Sequence, residues 1–249
     1  MDQKYYNISY AESPFGTLNQ YMTRTYGWMA AGLLVTFATA LLTVTTPLFE
    51  LMFSTGLVFL LSIAELVLVA VLSARVERLQ PTTATGLFFA YAVLNGINLS
   101  TYFIIYDLST LILAFLVGTV YFGVMAVYGA RTQRDLSGWG INLMGALIAI
   151  ILTSLVGGLI GMLTGAGFGM MDIVLCAVSV LVFMLFTAYD TQKLSQLYSY
   201  YAGDSELAEK ASIYGALTLY LDFINIFLYV VRLLGLNIVR IVGRSRRND

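Results

Sequence analysis

Two aspartates interrupt strongly apolar stretches in the last third of the chain. Asp222 lies within the run 212–235 (SIYGALTLYLDFINIFLYVVRLLG), and Asp190 ends the run 172–190. If the two runs form a helical hairpin that turns at 203–206, the carboxylates lie within about three residues of the same depth, or about 4–5 Å of rise. Two close carboxylates in a medium of low dielectric share one proton near neutral pH, because ionising both is costly. The pair also offers the hard oxygen ligands that calcium prefers.

Both aspartates belong to polar stripes. The polar or small exceptions in the run 212–235 recur at spacings of three and four, which place them on one helical face: Gly215, Thr218, Asp222, Asn225, Tyr229 and Arg232. The run 172–190 has a similar stripe, formed by Asp172, Cys176, Ser179, Phe183, Thr187 and Asp190. Lipid cannot satisfy such a face inside a bilayer. We therefore expect protein to enclose the last helix, with Thr187 and Asn225 as further oxygen donors near the aspartates.

The composition is that of an integral membrane protein. Of 249 residues, 59% are hydrophobic and only 11% are charged, whereas a soluble domain has about 25% charged residues. The chain has no histidine, which excludes histidine-based catalysis and most zinc or haem ligation. The sequence has no basic patch with interleaved aromatic residues, so it gives no indication of nucleic-acid binding. We expect neither an enzymatic activity nor a cofactor.

Seven apolar runs of about 20 residues predict an all-α protein with seven transmembrane helices. A polar arm (1–25) precedes the membrane domain (26–239), and a basic tail (240–249) follows it. The runs are 26–46, 56–74, 85–105, 110–130, 139–162, 172–190 and 212–235.

The basic residues predict a cytoplasmic N-terminus. Lysine and arginine precede the first run and follow the second, fourth and sixth, whereas the loops after the first, third and fifth runs have none. The arginine-rich tail conflicts with this pattern, because a complete seventh span would place it outside. Either the last helix re-enters the membrane, or the first six spans outweigh the tail.

Other polar residues interrupt the earlier runs. Glu65 lies inside the second run, and the third run has a stripe formed by Asn95, Asn98 and Tyr102. Arg75 and Arg78 end the second run. Their position favours a role as topology-determining charges, with the alternative that one of them reaches back to the aspartate pair.

Several of these segments resemble the transmembrane Bax inhibitor motif (Bax inhibitor-1) family, bacterial branch. The most specific segments are 189–192 (YDTQ), 219–225 (LYLDFIN) and 232–235 (RLLG). The segments 95–100 (NGINLS) and 134–137 (RDLS) fit the same pattern. The resemblance covers the chain from about residue 20 to 240.

The resemblance implies a fold, a function and a location. It implies that the seventh helix is central and wrapped by helices 1–3 and 4–6. It also implies a pH-sensitive calcium leak in the bacterial inner membrane, gated by the pair Asp190 and Asp222 and by an arginine latch, Arg75 or Arg78. Glu65 and Arg232 match charged positions of the family and are expected to support the site.

Two other classes of function remain open. A membrane scaffold that modulates a membrane protease or another partner would need no pore. An intramembrane aspartyl protease is the remote alternative, since Tyr189 and Asp190 resemble half of its signature. The other half is missing, because Tyr220 and Leu221 precede Asp222 where a Gly-x-Gly turn is needed, and all three prolines lie before residue 82.

Overall fold

The computed structural model describes the backbone of residues 16–75, 79–165 and 170–248, and the side chains of 16–72, 79–165 and 170–236. Within these residues the secondary structure is helical, without strands. The helices are α1 (Leu18–Thr45), α2 (Leu48–Ser54), α3 (Leu57–Arg75), α4 (Pro81–Ile105), α5 (Leu108–Arg131), α6 (Trp139–Thr164), α7 (Met170–Tyr201) and α8 (Ser205–Asn248). The predicted all-α membrane fold is confirmed.

Six of the described helices are long and apolar enough to cross a membrane, and α2 and α3 together provide a seventh candidate. These two helices meet at a bend of 90°, and α2 was not predicted from the sequence. Gly56 lies at the bend with φ of 72°, a left-handed conformation that glycine adopts without steric cost. The number of spans is therefore six or seven, depending on whether the bent pair crosses as one.

The first and last helices are longer than the apolar runs that predicted them. Helix α1 begins at Leu18 and not at Tyr26, because Thr17 and Gln20 form a capping box that satisfies the first backbone amides. Helix α8 extends from Ser205 to Asn248, so the basic tail continues the helix. The part of the predicted polar arm from 18 to 25 is thus helical, while residues 1–15 lie outside the described structure.

The chain divides into two compact units. The first comprises Met1–Ile105 and Lys193–Tyr220, and the second comprises Tyr106–Gln192 and Leu221–Asp249. Helices α7 and α8 therefore contribute to both units.

In the first unit, α1 packs closely on α4. The Thr36 hydroxyl donates to the Ala92 carbonyl oxygen at 2.9 Å. The Tyr220 hydroxyl lies 2.6 Å from the same Thr36 oxygen, and it must be the donor because Thr36 has only one proton to give. Gly96 permits this close approach, since a Cβ atom there would lie 2.5 Å from the Thr36 carbonyl oxygen.

We expect Gly96→Ala to destabilise the protein by about 1–3 kcal/mol, because the added methyl group meets the backbone of α1 and cannot be accommodated by a side-chain rotation. Gly86→Ala is the matched control on the same helix, where a Cβ meets nothing within 4 Å. The control should be neutral or stabilising by up to about 1 kcal/mol. Thermal unfolding in detergent measures both, and equal midpoints for the two variants would contradict the close packing.

In the second unit, α8 packs on α5 and α7. The Phe223 ring lies edge-on to Phe115 and Phe122, at centroid distances of 5.5 and 5.8 Å. Gly129 allows α5 to lie against the backbone of α7. A Cβ atom at this position would collide with the Ala188 carbonyl oxygen. Helix α5 itself starts at the N-cap Asp107, where hydrogen bonds from Ser109 and Thr110 lower the pKa of the carboxyl group to about 2.

No residue from 207 to 236 in α8 is exposed. Between 207 and 236 the least buried residues are partly accessible and recur mainly at spacings of three and four, among them Thr218, Asn225, Tyr229 and Arg232. They coincide with most of the predicted polar stripe. This burial agrees with the expectation that protein encloses the last helix, while the order in which the other helices wrap it stays a prediction.

Candidate functional site

The structure brings Asp190 and Asp222 together in the second unit. Asp190 lies on α7 and Asp222 on α8, and they are 8% and 4% exposed. The charge of Asp190 acts on the Asp222 carboxyl group across the gap between the two helices. The turn between α7 and α8 falls at 202–204, close to the turn expected from the sequence. The two acidic groups therefore form one candidate site.

Thr187 adds a hydroxyl group to the pair from α7. It donates to the Phe183 carbonyl oxygen at 2.9 Å and also reaches Asp222. Asp222 Oδ2 is buried and has no hydrogen-bond partner among the described residues. A buried oxygen of this kind is costly unless it carries a proton or meets a cation or a water molecule. The local chemistry therefore suits a carboxyl group that exchanges protons or binds a cation.

The structure places the other predicted residues differently. Asn225 donates to the Leu221 carbonyl oxygen on its own helix at 2.8 Å, and the structure shows no bond from it to the aspartates. The side chains of Arg75 and Arg78 lie outside the described residues, so the latch stays a prediction. Glu65 belongs to the first unit, where it bonds Asn95.

Arg232 forms an ion pair with Asp172. Asp172 was predicted to lie on the polar stripe of the run 172–190, but its pairing with Arg232 was not predicted. The Arg232 Nη2 atom lies 2.6 Å from Asp172 Oδ1, and the side chains are 41% and 15% exposed. Tyr106 lies beside this pair, and its ring packs where Gly235 leaves room. The pair links the first turn of α7 to the later part of α8.

A glutamine that sequence reasoning missed anchors α7 near Asp190. Gln192 Oε1 accepts from the Leu136 backbone amide at 2.8 Å, and Gln192 Nε2 donates to the Arg134 carbonyl oxygen at 2.7 Å. Leu136 is 1% exposed. The loop after α5 is thus held to α7 two residues beyond Asp190. The sequence signal for this contact was the amide side chain of Gln192, which can donate and accept hydrogen bonds at the same time.

We expect Gln192→Ala to increase hydrogen exchange in the loop 132–138 by on the order of tenfold, because each lost hydrogen bond contributes about 1 kcal/mol. Exchange followed by mass spectrometry measures this effect. Gln133→Ala is the matched control, since Gln133 is exposed in the same loop. Unchanged exchange in Gln192→Ala would show that other contacts hold the loop.

Fold and site together define a class: a multi-pass α-helical membrane protein with a buried carboxylate pair between two long helices. The family model described as inhibitor of apoptosis-promoting Bax1 matches residues 18–238. The chain belongs to this family, the Bax inhibitor-1 family, and the resemblance drawn from the sequence motifs is confirmed.

Similar proteins occur in diverse bacteria. The inner membrane protein YbhL of Escherichia coli (strain K12) is 42% identical over 232 residues, covering 89% of this chain and 94% of YbhL. The protein RP147 of Rickettsia prowazekii is 36% identical, covering 88% of this chain and 90% of its own length. A membrane protein of Streptococcus pyogenes serotype M3 is 32% identical, covering 93% and 98%. The similarity therefore extends over nearly the whole of each chain.

Proposed function

We propose that this protein is a pH-sensitive calcium leak channel of the bacterial inner membrane, with its N-terminus in the cytoplasm. The observation that carries the proposal is the buried pair of carboxyl groups on α7 and α8, Asp190 and Asp222. Family membership and the naming of relatives as inner membrane proteins support the location. The distribution of basic residues supports the orientation.

The aspartate pair is proposed as the pH sensor. Burial and the like-charged neighbour both disfavour a doubly ionised pair, so one proton is shared between Asp190 and Asp222. The Thr187 hydroxyl reaches Asp222 and donates to the Phe183 carbonyl oxygen, so it places a further polar group beside the pair.

The same pair is proposed as the calcium ligand. When both groups are ionised, the buried pair carries four carboxylate oxygens, and Thr187 adds a neutral oxygen. Calcium takes six to eight oxygens and accepts water among them, so these groups with bound water provide a complete set. We keep Asn225 as a further donor, since it lies one turn after Asp222 on α8.

A latch sets the direction of the pH response. An arginine from the end of the second apolar run, Arg75 or Arg78, binds most strongly when both aspartates are ionised. One added proton leaves a single negative charge on the pair and weakens the latch. Acidification therefore opens the path, provided that calcium does not saturate the site.

Calcium flux in reconstituted liposomes tests the proposal. Vesicles with the protein should take up calcium faster than empty vesicles, and faster at about pH 6 than at about pH 8, a range that brackets a shared proton near neutrality. Equal uptake in both kinds of vesicle at each pH would reject the channel. The scaffold function would then be the better account, tested by co-purification with a membrane protease.

A further inference from the structure

Glu65 occupies a position where a charge is expensive. It is the ninth of the 19 residues of α3, counting from Leu57, and it is partly buried. An ionisable residue in the middle of a membrane helix is usually functional and bonded to a named partner. Here each carboxylate oxygen accepts an amide from α4: Asn95 Nδ2 lies 2.6 Å from Oε1, and Asn98 Nδ2 bonds Oε2.

More oxygen atoms surround this carboxylate. The Ser62 hydroxyl bonds Asn98 Oδ1 at 3.1 Å. The Tyr91 hydroxyl lies within hydrogen-bonding reach of both Glu65 and Asn95. Asn95 Oδ1 is buried and has no hydrogen-bond partner among the described residues. One carboxylate, two amide carbonyls and two hydroxyls therefore meet between α3 and α4.

We propose that Glu65, Asn95, Asn98, Ser62 and Tyr91 form a second cation site, selective for a hard cation such as calcium. The ligand set contains only oxygen donors of the kind that calcium prefers. The two amide groups now direct their N–H bonds at Glu65. A half-turn of each amide exchanges N–H for C=O, which turns the stabilised carboxylate into a cation site and gives Asn95 Oδ1 its missing partner.

The charge of the site predicts its affinity. The number of charged ligands tunes calcium affinity, and a single carboxylate corresponds to the weak end of the range, on the order of 1 mM. An intramembrane site that binds weakly releases its ion readily, as conduction requires. The site belongs to the first unit and the aspartate pair to the second, so this inference does not depend on the function proposed for Asp190 and Asp222.

A hydrogen-bonded clamp between α3 and α4 is the competing explanation, and one substitution separates it from a cation site. Asn95→Asp places a second carboxylate beside Glu65. A cation site then binds more tightly because it gains a charged ligand. A clamp would instead lose its hydrogen bond and gain a repulsion between like charges, with no gain in cation binding.

Terbium luminescence in the Asp190→Asn/Asp222→Asn background provides the test, because Tb³⁺ occupies calcium sites and a nearby tyrosine excites it. We expect calcium-competable binding to persist in this background, to weaken at least about tenfold in Glu65→Gln, and to strengthen about tenfold in Asn95→Asp. Glu50→Gln, an exposed glutamate of α2, is the matched control and should leave binding unchanged.

The opposite results would overturn the proposal. One such result is that Glu65→Gln binds Tb³⁺ as tightly as the Asp190→Asn/Asp222→Asn background does. The other is that Asn95→Asp binds Tb³⁺ no more tightly than this background. A folding defect cannot imitate the expected gain in Asn95→Asp, so the test holds even if Glu65→Gln misfolds. Every protein compared carries Asp190→Asn and Asp222→Asn. The result therefore does not depend on whether the channel proposal is correct.

Discussion

Asp222→Asn is expected to abolish most of the pH dependence of calcium leak while leaving the protein folded. The amide keeps nearly the shape of the carboxyl group but cannot titrate, so acidification no longer changes the charge of the pair. A single titrating proton changes the population of the open state by up to about tenfold per pH unit. In the variant, flux between about pH 6 and about pH 8 should change less than about twofold.

The sign of the wild-type response follows from the charge of the pair. At alkaline pH both aspartates are ionised, the latch is strongest and leak is slow. As the pH falls, one proton binds, a single negative charge remains and leak increases. Asp190→Asn should also flatten the response, because either substitution removes one of the two carboxyl groups whose coupled titration changes the charge of the pair in this range.

Asp204→Asn is the matched control for these variants. Asp204 is exposed and caps α8 by accepting from the Glu206 amide at 2.9 Å. Asparagine caps a helix about as well as aspartate does, so the fold and the pH response should both be preserved. A wild-type pH profile in Asp190→Asn and Asp222→Asn would place the sensor elsewhere.

Breaking the ion pair between Asp172 and Arg232 is expected to have the second-largest effect. Asp172→Asn removes the carboxylate that pairs with the Arg232 guanidinium inside a spanning helix. Removing one partner of a fully buried pair costs about 3–5 kcal/mol, while an exposed pair contributes less than about 1 kcal/mol. Since the Arg232 side chain is 41% exposed, we expect a loss of about 1–3 kcal/mol.

The charge-swapped double variant Asp172→Arg/Arg232→Asp tests whether the two residues stabilise the protein through their interaction or independently of each other. It should recover at least half of the stability that Asp172→Asn loses, measured as the unfolding midpoint in detergent. A double-mutant cycle gives the coupling between the positions. Strictly additive losses would show that the bond between Arg232 Nη2 and Asp172 Oδ1 contributes nothing to stability.

The sequence predicted the spanning helices and the meeting of Asp190 with Asp222 for physical reasons that are local. Apolar runs must be helical inside a bilayer, because no water is present to satisfy the backbone. A short turn at 202–204 makes α7 and α8 antiparallel neighbours, and their polar stripes then face protein. Helix periodicity and one loop length were sufficient for that part of the site.

The remaining features depend on tertiary contacts that no spacing rule encodes. The bend at Gly56 and the short helix α2 follow from a left-handed backbone, whereas hydropathy reports only apolar length. Gln192 binds the backbone of a loop 56 residues earlier, and backbone acceptors leave no signature in the side-chain pattern. Glu65 and Arg232 were recognised as charged exceptions, but their partners, Asn95 and Asp172, lie on other helices.

The proton shared by Asp190 and Asp222 is the central claim, and infrared spectroscopy of carboxyl groups tests it most directly. Spectra of protein with isotope-labelled aspartate, titrated from about pH 6 to about pH 8, report whether a protonated aspartate is present. We predict a protonated-carboxyl band that fades as the pH rises, in parallel with calcium leak, and that does not fade in this way in Asp190→Asn and Asp222→Asn. A band that fades in both variants as it does in the wild type, or no band at any pH in this range in the wild type, would contradict the account.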